Sequence, residues 1–287
     1  MLEIIDTFPT FLKYWEKTKN QSLDEQIKNW EDIYLAPWPE LLAKQLDSYA
    51  ADKLDWRKIA REKIFPYLTK RLPAIREARN NLLKYSASLY DRTQQAFNFD
   101  SDVIVVIYVG VGCGAGWATT YNNTPAILFG LENIAELDWS NVSDIEGLFA
   151  HEAGHLVHQH WRVRNEKPSG SGPWWQLYEE GFAQRCEDKI CSDYTWHQAS
   201  CEAGDDWLTW CREHKSWLAA EFLKTVDENK TVAPFFGSWF NIHGKIETGY
   251  FLGYEVIKEL EKSLSLQEIA LLDDYEMAFR QILKQMK

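Results

Sequence analysis

The sequence predicts an α+β protein, predominantly helical, in which one small sheet interrupts a long succession of helices. Three observations carry this prediction. Apolar residues recur at three- and four-residue spacing, with charges between them, in LDEQIKNWEDIYL and DWRKIAREKIFPYL. The texture changes at Asp102, where DVIVVIYVG is dense in β-branched residues, as a buried strand requires. Helical spacing then returns near residue 143 and persists to the end of the chain.

In chain order, residues 1–98 read as an N-terminal helical section punctuated by Pro37, Pro39, Pro66 and Pro73. Residues 99–287 read as a second domain, with a small sheet over 102–131, a helix from 143 and a helical C-terminal half. WATTY and PAILFGL are the two further strands, separated by Asn122, Asn123 and Thr124. Gly110, Gly112 and Ala115 match the dinucleotide fingerprint GxGxxG/A. That motif needs a helix N-terminus to face a pyrophosphate, and GWATTYNNTP offers none. The loop therefore reads as a sheet connection. SDIEGLFAHEAGHLVHQHW opens with Ser143 and has Glu146 three residues on, the signature of a capping box at a helix start.

Composition narrows the function classes. The 287 residues are 45% hydrophobic and 14% aromatic, which fits an ordered globular chain. With 31 basic against 43 acidic residues the net charge is −12, so a duplex or an anionic membrane surface is repelled on average. No basic leader precedes an apolar stretch, and no apolar run approaches the ~18–20 residues of a spanning helix. The expectation is a soluble, cytoplasmic protein with neither nucleic-acid nor membrane partners. Five cysteines, without CxxC pairs, read as buried thiols, including the group Cys186, Cys191, Cys201 and Cys211.

Four of the seven histidines lie in FAHEAGHLVHQHW. HEAGH is an HExxH pattern, and on a helix His151 and His155 stand about 40° apart and one turn apart, so their rings converge on one ion. Glu152 projects beside them, where a carboxylate accepts a proton from a metal-activated water; a purely structural zinc site has no use for such a group. His158 is one further turn along, ~10 Å from His151, and reads as part of the cleft wall or the layer behind the ligands. His160 points to the opposite side. A third ligand is available from WWQLYEEGFAQRCEDKI, a second helix beyond the loop RNEKPSGSGP: either Glu180 or its neighbour Glu179.

HEAGH followed by WWQLYEEGFA resembles the gluzincin zinc metallopeptidases, notably the thermolysin-like enzymes and the leucyl/alanyl aminopeptidases. The resemblance covers roughly residues 143–190. It implies a zincin-like catalytic unit, one zinc ion per chain held by His151, His155 and Glu180, Glu152 as general base, and a peptide or protein substrate. Thermolysin-like enzymes place an aspartate four residues after the third ligand to orient a zinc histidine. That position here is Gln184, and Glu187 one turn on is the substitute. The stretch FNIHGKIETGYFLGYEVIKEL faintly resembles the histidine-and-GY region of thimet-type oligopeptidases. By that likeness Tyr250, or else His243, contacts the scissile carbonyl, and Tyr254 faces the same cleft. In zincins an edge strand ahead of the active-site helix pairs with extended substrate, which implies backbone contacts from Ala126, Ile127, Leu128, Phe129 and Gly130. A catalytically silent zincin-fold binding protein, and a zinc hydrolase of non-peptide amides, are the competing expectations.

Overall fold

A strand buried at every position needs neighbours on both edges and both faces, and Val103–Tyr108 is such a strand. The computed structural model describes residues 1–51, 53–191, 196–198, 207–237 and 239–286. These divide into two compact units, the first formed by 1–92 with 100–149 and the second by 93–99 with 150–287. This differs from the expected boundary at 98/99. The sheet belongs with the N-terminal helices, and not with the helices that follow it.

The first unit holds β1 (Leu2–Asp6), α1 (Phe8–Thr18), α2 (Leu23–Asn29), α3 (Pro39–Ala51), α4 (Trp56–Ile59) and α5 (Leu68–Phe97) as far as Arg92. It continues with β2 (Val103–Tyr108), β3 (Gly116–Tyr121), β4 (Thr124–Gly130), α6 (Leu131–Glu136) and the first turns of α7 (Val142–Arg164). The strand order is β1-β2-β4-β3. β1 and β4 lie parallel to β2, and β3 closes antiparallel on β4.

Two corrections follow. The N-terminal section is not helical throughout, because LEIID forms β1, with Leu2 opposite Val103 and Asp6 opposite Ile107. β4 is not an edge: Ala126–Gly130 is paired with β2 on one side and β3 on the other, and every one of these residues is buried. An unbroken apolar run AILFG is what a central strand needs, whereas an exposed edge would carry charges.

The glycine-rich loop after β2 leads into strand β3, as its sequence implies, and it does cradle an acidic group, which burial raises to about 7. Gly110 N donates to Glu132 Oε2 at 2.6 Å and Gly112 N to Oε1 at 3.1 Å. The carboxylate is the chain's own, from the first turn of α6.

α7 begins earlier than the Ser143 box implies. Asp144 N donates to Asn141 Oδ1 at 3.1 Å, and Asn141 Nδ2 donates back to Asp144 Oδ2, so Asn141 supplies the cap. Glu146 instead pairs with Arg92 at 3.2 Å.

The second unit contains α7 from Ala150, α8 (Pro173–Ile190), α9 (Trp207–Glu213), α10 (Lys215–Asp227), α11 (Ala233–Phe236), α12 (Thr248–Leu260), α13 (Leu266–Ala270) and α14 (Tyr275–Gln285). α8 starts where GP predicts, with Pro173 in its first turn and Gly172 at φ 84° before it. Three glycines let helices touch backbone to backbone. A Cβ on Gly154 of α7 would lie 2.8 Å from Cys186 Cβ and 2.9 Å from Ala183 Cα of α8. A Cβ on Gly181 would strike the Gly253 carbonyl of α12, and one on Gly253 would lie 2.5 Å from Leu177 O. Cys113 and Cys186 are free thiols, Cys186 buried as expected and Cys113 half-buried, and Cys201 lies outside the described residues. No helix of the described residues is long and apolar enough to cross a membrane.

Replacing Gly181 by alanine sets a methyl group against rigid backbone, which outweighs the ~1 kcal/mol that alanine gains over glycine in a helix. Gly181→Ala is expected to lower the free energy of unfolding by about 2 kcal/mol in urea titrations. An unchanged or raised midpoint would contradict the α8–α12 contact.

Candidate metal centre

The Gly154–Ala183 contact sets α8 close beside the HEAGH turn, and the residue three before Ala183 is Glu180. His151 Nε2 and His155 Nε2 approach Glu180 Oε2 at 3.1 and 3.2 Å. The two imidazole rings stand 4.9 Å apart, nearly perpendicular. Among the described residues, His151, His155 and Glu180 are the one group of three or more His, Cys, Asp or Glu whose ligand atoms all fall within 4.8 Å of one another.

That separation fits a small divalent cation. Ligand atoms at about 2.0–2.1 Å from a tetrahedral centre lie about 3.3 Å from each other. Two imidazoles and a carboxylate suit zinc and its transition-metal neighbours, and three protein ligands leave a coordination position open, as catalytic sites do. Glu179, the other carboxylate offered by the sequence, is not in the group. Burial pushes its carboxyl up to about 7, against the pull of His155.

Charge organises the centre. Burial opposes a proton on His151, yet hydrogen bonding to Glu180 and Glu187 prevails and holds the imidazole up at about 10. His155 is raised as well, where the attraction of Glu180 outweighs burial. Burial likewise opposes the charge on Glu180, but His155 and hydrogen bonds from both rings hold it down at about 2. Glu152 is buried on the same helix turn and acts electrostatically on both histidines without joining the ligand group.

Behind His151 lies a buried polar network. Glu187 Oε2 stands 3.8 Å from His151 Nδ1, an ion-pair distance. Gln184 Nε2 donates to Glu187 Oε2 at 2.7 Å, and Gln198 Nε2 donates to Gln184 Oε1 at 2.8 Å. His197 Nδ1 is 3.1 Å from both Glu187 oxygens. Glu187 thus stands behind His151 at ion-pair distance, and Gln184 donates to it.

Tyr250 belongs to the centre. Its ring centroid lies 5.5 Å from that of His151. Burial, then Glu180, Glu247, Glu152 and Glu179, raise its hydroxyl well above the ordinary range, so it stays protonated.

Four other expectations are corrected. His158 packs with Trp175, Tyr178 and Phe182 at 5.4, 4.8 and 4.6 Å, and burial with the charge of Arg162 lowers it to about 3. It is a neutral core ring and does not back the ligands. Tyr254 is one turn from Tyr250, but its hydroxyl donates to Asp188 Oδ2 at 3.0 Å and its ring packs on Trp196. His243 sits at φ 52° in the turn between Ile242 and Lys245, exposed, with its ring 4.8 Å from that of Trp217. Ala126–Gly130 has its backbone hydrogen bonds filled by β2 and β3, so it offers no edge to a peptide.

Two residues escape a reading of the sequence. His197 stands 42 positions beyond His155, in a stretch with no spacing that ties it to HEAGH. Glu247 immediately precedes α12, where an acid ordinarily marks a solvated helix start. In the fold it is 4% exposed and electrostatically coupled to His151 and Glu180. The chain matches no family model, no curated protein and no solved structure.

A proton must leave His151 before a metal can bind, so affinity is expected to rise with pH from neutrality toward 10, with protons released to the buffer. Calorimetric zinc titrations in buffers of different ionisation enthalpy measure that release; its absence would contradict the His151–Glu180 pairing. In chelator competition at pH 7, Glu187→Gln is expected to weaken zinc by about 10–100-fold. Equal affinity would remove Glu187 from the support of His151.

Proposed function

We propose that the chain is a zinc-dependent peptidase with a zincin-like helical unit of the gluzincin type. The observation that carries this reading is the convergence of His151, His155 and Glu180, from two helices, with Glu152 and Tyr250 beside them. A zinc ion held by the three ligands would lower the pKa of a water toward about 7 and polarise a carbonyl.

The chain's own groups supply the rest. Glu152 receives the proton of the attacking water and returns it to the departing amine. Tyr250, kept protonated, donates to the oxygen on which negative charge develops. Glu187, held by His197 and Gln184, stands 3.8 Å behind His151 Nδ1 and would favour the ring orientation that leaves Nε2 toward Glu180, where a metal would be held. A binding protein that had lost activity would have no need to retain both the base and the donor. The substrate is a peptide, and Ala126–Gly130 is withdrawn from its binding.

In assays against a mixed peptide pool, the zinc-loaded wild type is expected to cleave, and Glu152→Gln to lower kcat by about 10²–10⁴ with zinc still bound. Tyr250→Phe is expected to lower kcat by about 10² and change KM little. Equal turnover by wild type and Glu152→Gln would sink the mechanism; failure of the zinc-loaded wild type to cleave any peptide would sink the peptidase reading.

A further inference from the structure

Away from the candidate metal centre, a buried acid holds a loop of the first compact unit. Glu132 lies in the first turn of α6 and is 0% exposed. Its two oxygens close the loop between β2 and β3, Oε2 on Gly110 N and Oε1 on Gly112 N. Beside it stands another oxygen that has nothing to accept. Gln45 of α3 is also 0% exposed; its Nε2 donates to Leu41 O at 3.1 Å, and among the described residues its Oε1 has no partner. Glu132 Oε1 and Gln45 Oε1 lie 2.7 and 2.6 Å from one point, the place a Cβ on Gly110 would take. Two buried acceptors side by side repel each other while neither has a hydrogen, and a single proton between them satisfies both.

The rest of the loop is tied by groups that keep one charge state. Trp30 Nε1 donates to Val109 O at 2.9 Å, Val109 N donates to the Tyr34 hydroxyl at 3.0 Å, and the Tyr49 hydroxyl donates to Val111 O at 2.8 Å. Cys113 Sγ donates weakly to Gln45 O at 3.7 Å. The titratable groups that face Glu132 are Tyr34 ahead of α3, Tyr49 of α3, Tyr108 of β2, Cys113 of the loop and Glu136 of α6 itself. Burial raises the three tyrosines and the thiol, so all four stay neutral around pH 7. Burial also raises Glu132, to about 7, against the lowering pull of the Gly110 and Gly112 N–H groups. Of these ties, Glu132 is the one that changes charge near neutrality.

We propose that Glu132 is a proton-operated latch on the loop 110–115. Ionised, it accepts from Gly110 N and Gly112 N together. Protonated at Oε1, it donates to Gln45 Oε1, keeps Gly110 N on Oε2 and releases Gly112 N, because a carboxylic hydroxyl is a much weaker acceptor than a carboxylate. The proton comes from solvent, and only hydrogen bonds are exchanged. The loosening reaches the next residue, Cys113, whose thiol the closed loop holds half-buried against α3.

Amide hydrogen exchange, with each rate divided by the unfolded-chain rate at the same pH, tests the latch. Between about pH 8 and about pH 5.5 the protection of Gly112 N–H is expected to fall roughly tenfold or more, while Gly110 N–H and the β2 amides keep theirs. The midpoint is expected near the Glu132 value of about 7. Overall stability moves in the opposite sense. Glu132 loses its proton at about 7 when folded and near the ordinary 4.5 when unfolded, so its contribution is complete below 4.5 and is lost as pH rises through about 7. A loss confined to Gly112 in acid therefore reports the loop. Glu132→Gln turns an amide N–H toward Gln45 Oε1 and fixes the protonated arrangement, so Gly112 is expected to show the same low protection at every pH. Protection of Gly112 that ignores pH in wild type, that still follows pH in Glu132→Gln, or that falls together with the β2 amides would overturn the proposal. Should Glu132→Gln not fold, the carbon-13 shift of the Glu132 carboxyl in wild type decides: it is expected to titrate with the midpoint seen at Gly112, and a separate midpoint would overturn the latch.

Discussion

The centre depends on how closely α8 approaches its two neighbours. Gly154, inside HEAGH, meets Ala183, and Gly181, beside Glu180, meets Gly253. At both contacts a single methyl group would push the helices apart. The first contact sets the distance from Glu180 to the two histidines. The second sets α12, with Tyr250 one turn before Gly253, over the same point. The side chains of His151, His155 and Glu180 reach one another only because the helices meet backbone to backbone.

Electrostatics then determines what such a centre can hold. Glu180 and Glu187 stay ionised against the histidines beside them, while burial holds the Glu179 and Glu247 carboxyls up at about 7 and about 8. His151 and His155 supply the opposing charge, their imidazoles raised by Glu180 and, for His151, by Glu187 as well. A dication would replace those protons with a stronger and more localised charge, so the arrangement that retains protons could also hold a metal. Tyr250 remains a donor throughout, because every nearby carboxylate resists its ionisation.

Much of this was legible in the residues, and the rest was hidden for definite reasons. HExxH is a local pattern whose geometry follows from 100° per residue, so His151, Glu152 and His155 could be placed from sequence. Glu180 could be placed because GSGP marks the loop and EEGFA the helix after it. Strand order is a long-range property, and nothing local in PAILFGL shows that β1 and β3 take the edges instead. LEIID is five residues long and its partner is 101 positions away, which leaves no local sign of pairing. Spacing put Tyr254 on the same face as Tyr250, but Asp188, from another helix, holds its hydroxyl. His197 and Glu247 are joined to the centre by tertiary packing alone. Gly154, Gly181 and Gly253 read as ordinary helical residues until their neighbours are known.

The central claim is that two imidazoles and one carboxylate of this chain converge on a single ion with a position left open. X-ray absorption at the zinc edge of the reconstituted protein tests it most directly. The account predicts one zinc per chain with two imidazole nitrogens and light oxygen donors at about 2.0–2.1 Å, and loss of one oxygen donor in Glu180→Ala. A sulfur shell near 2.3 Å, or a spectrum unchanged by Glu180→Ala, would contradict it.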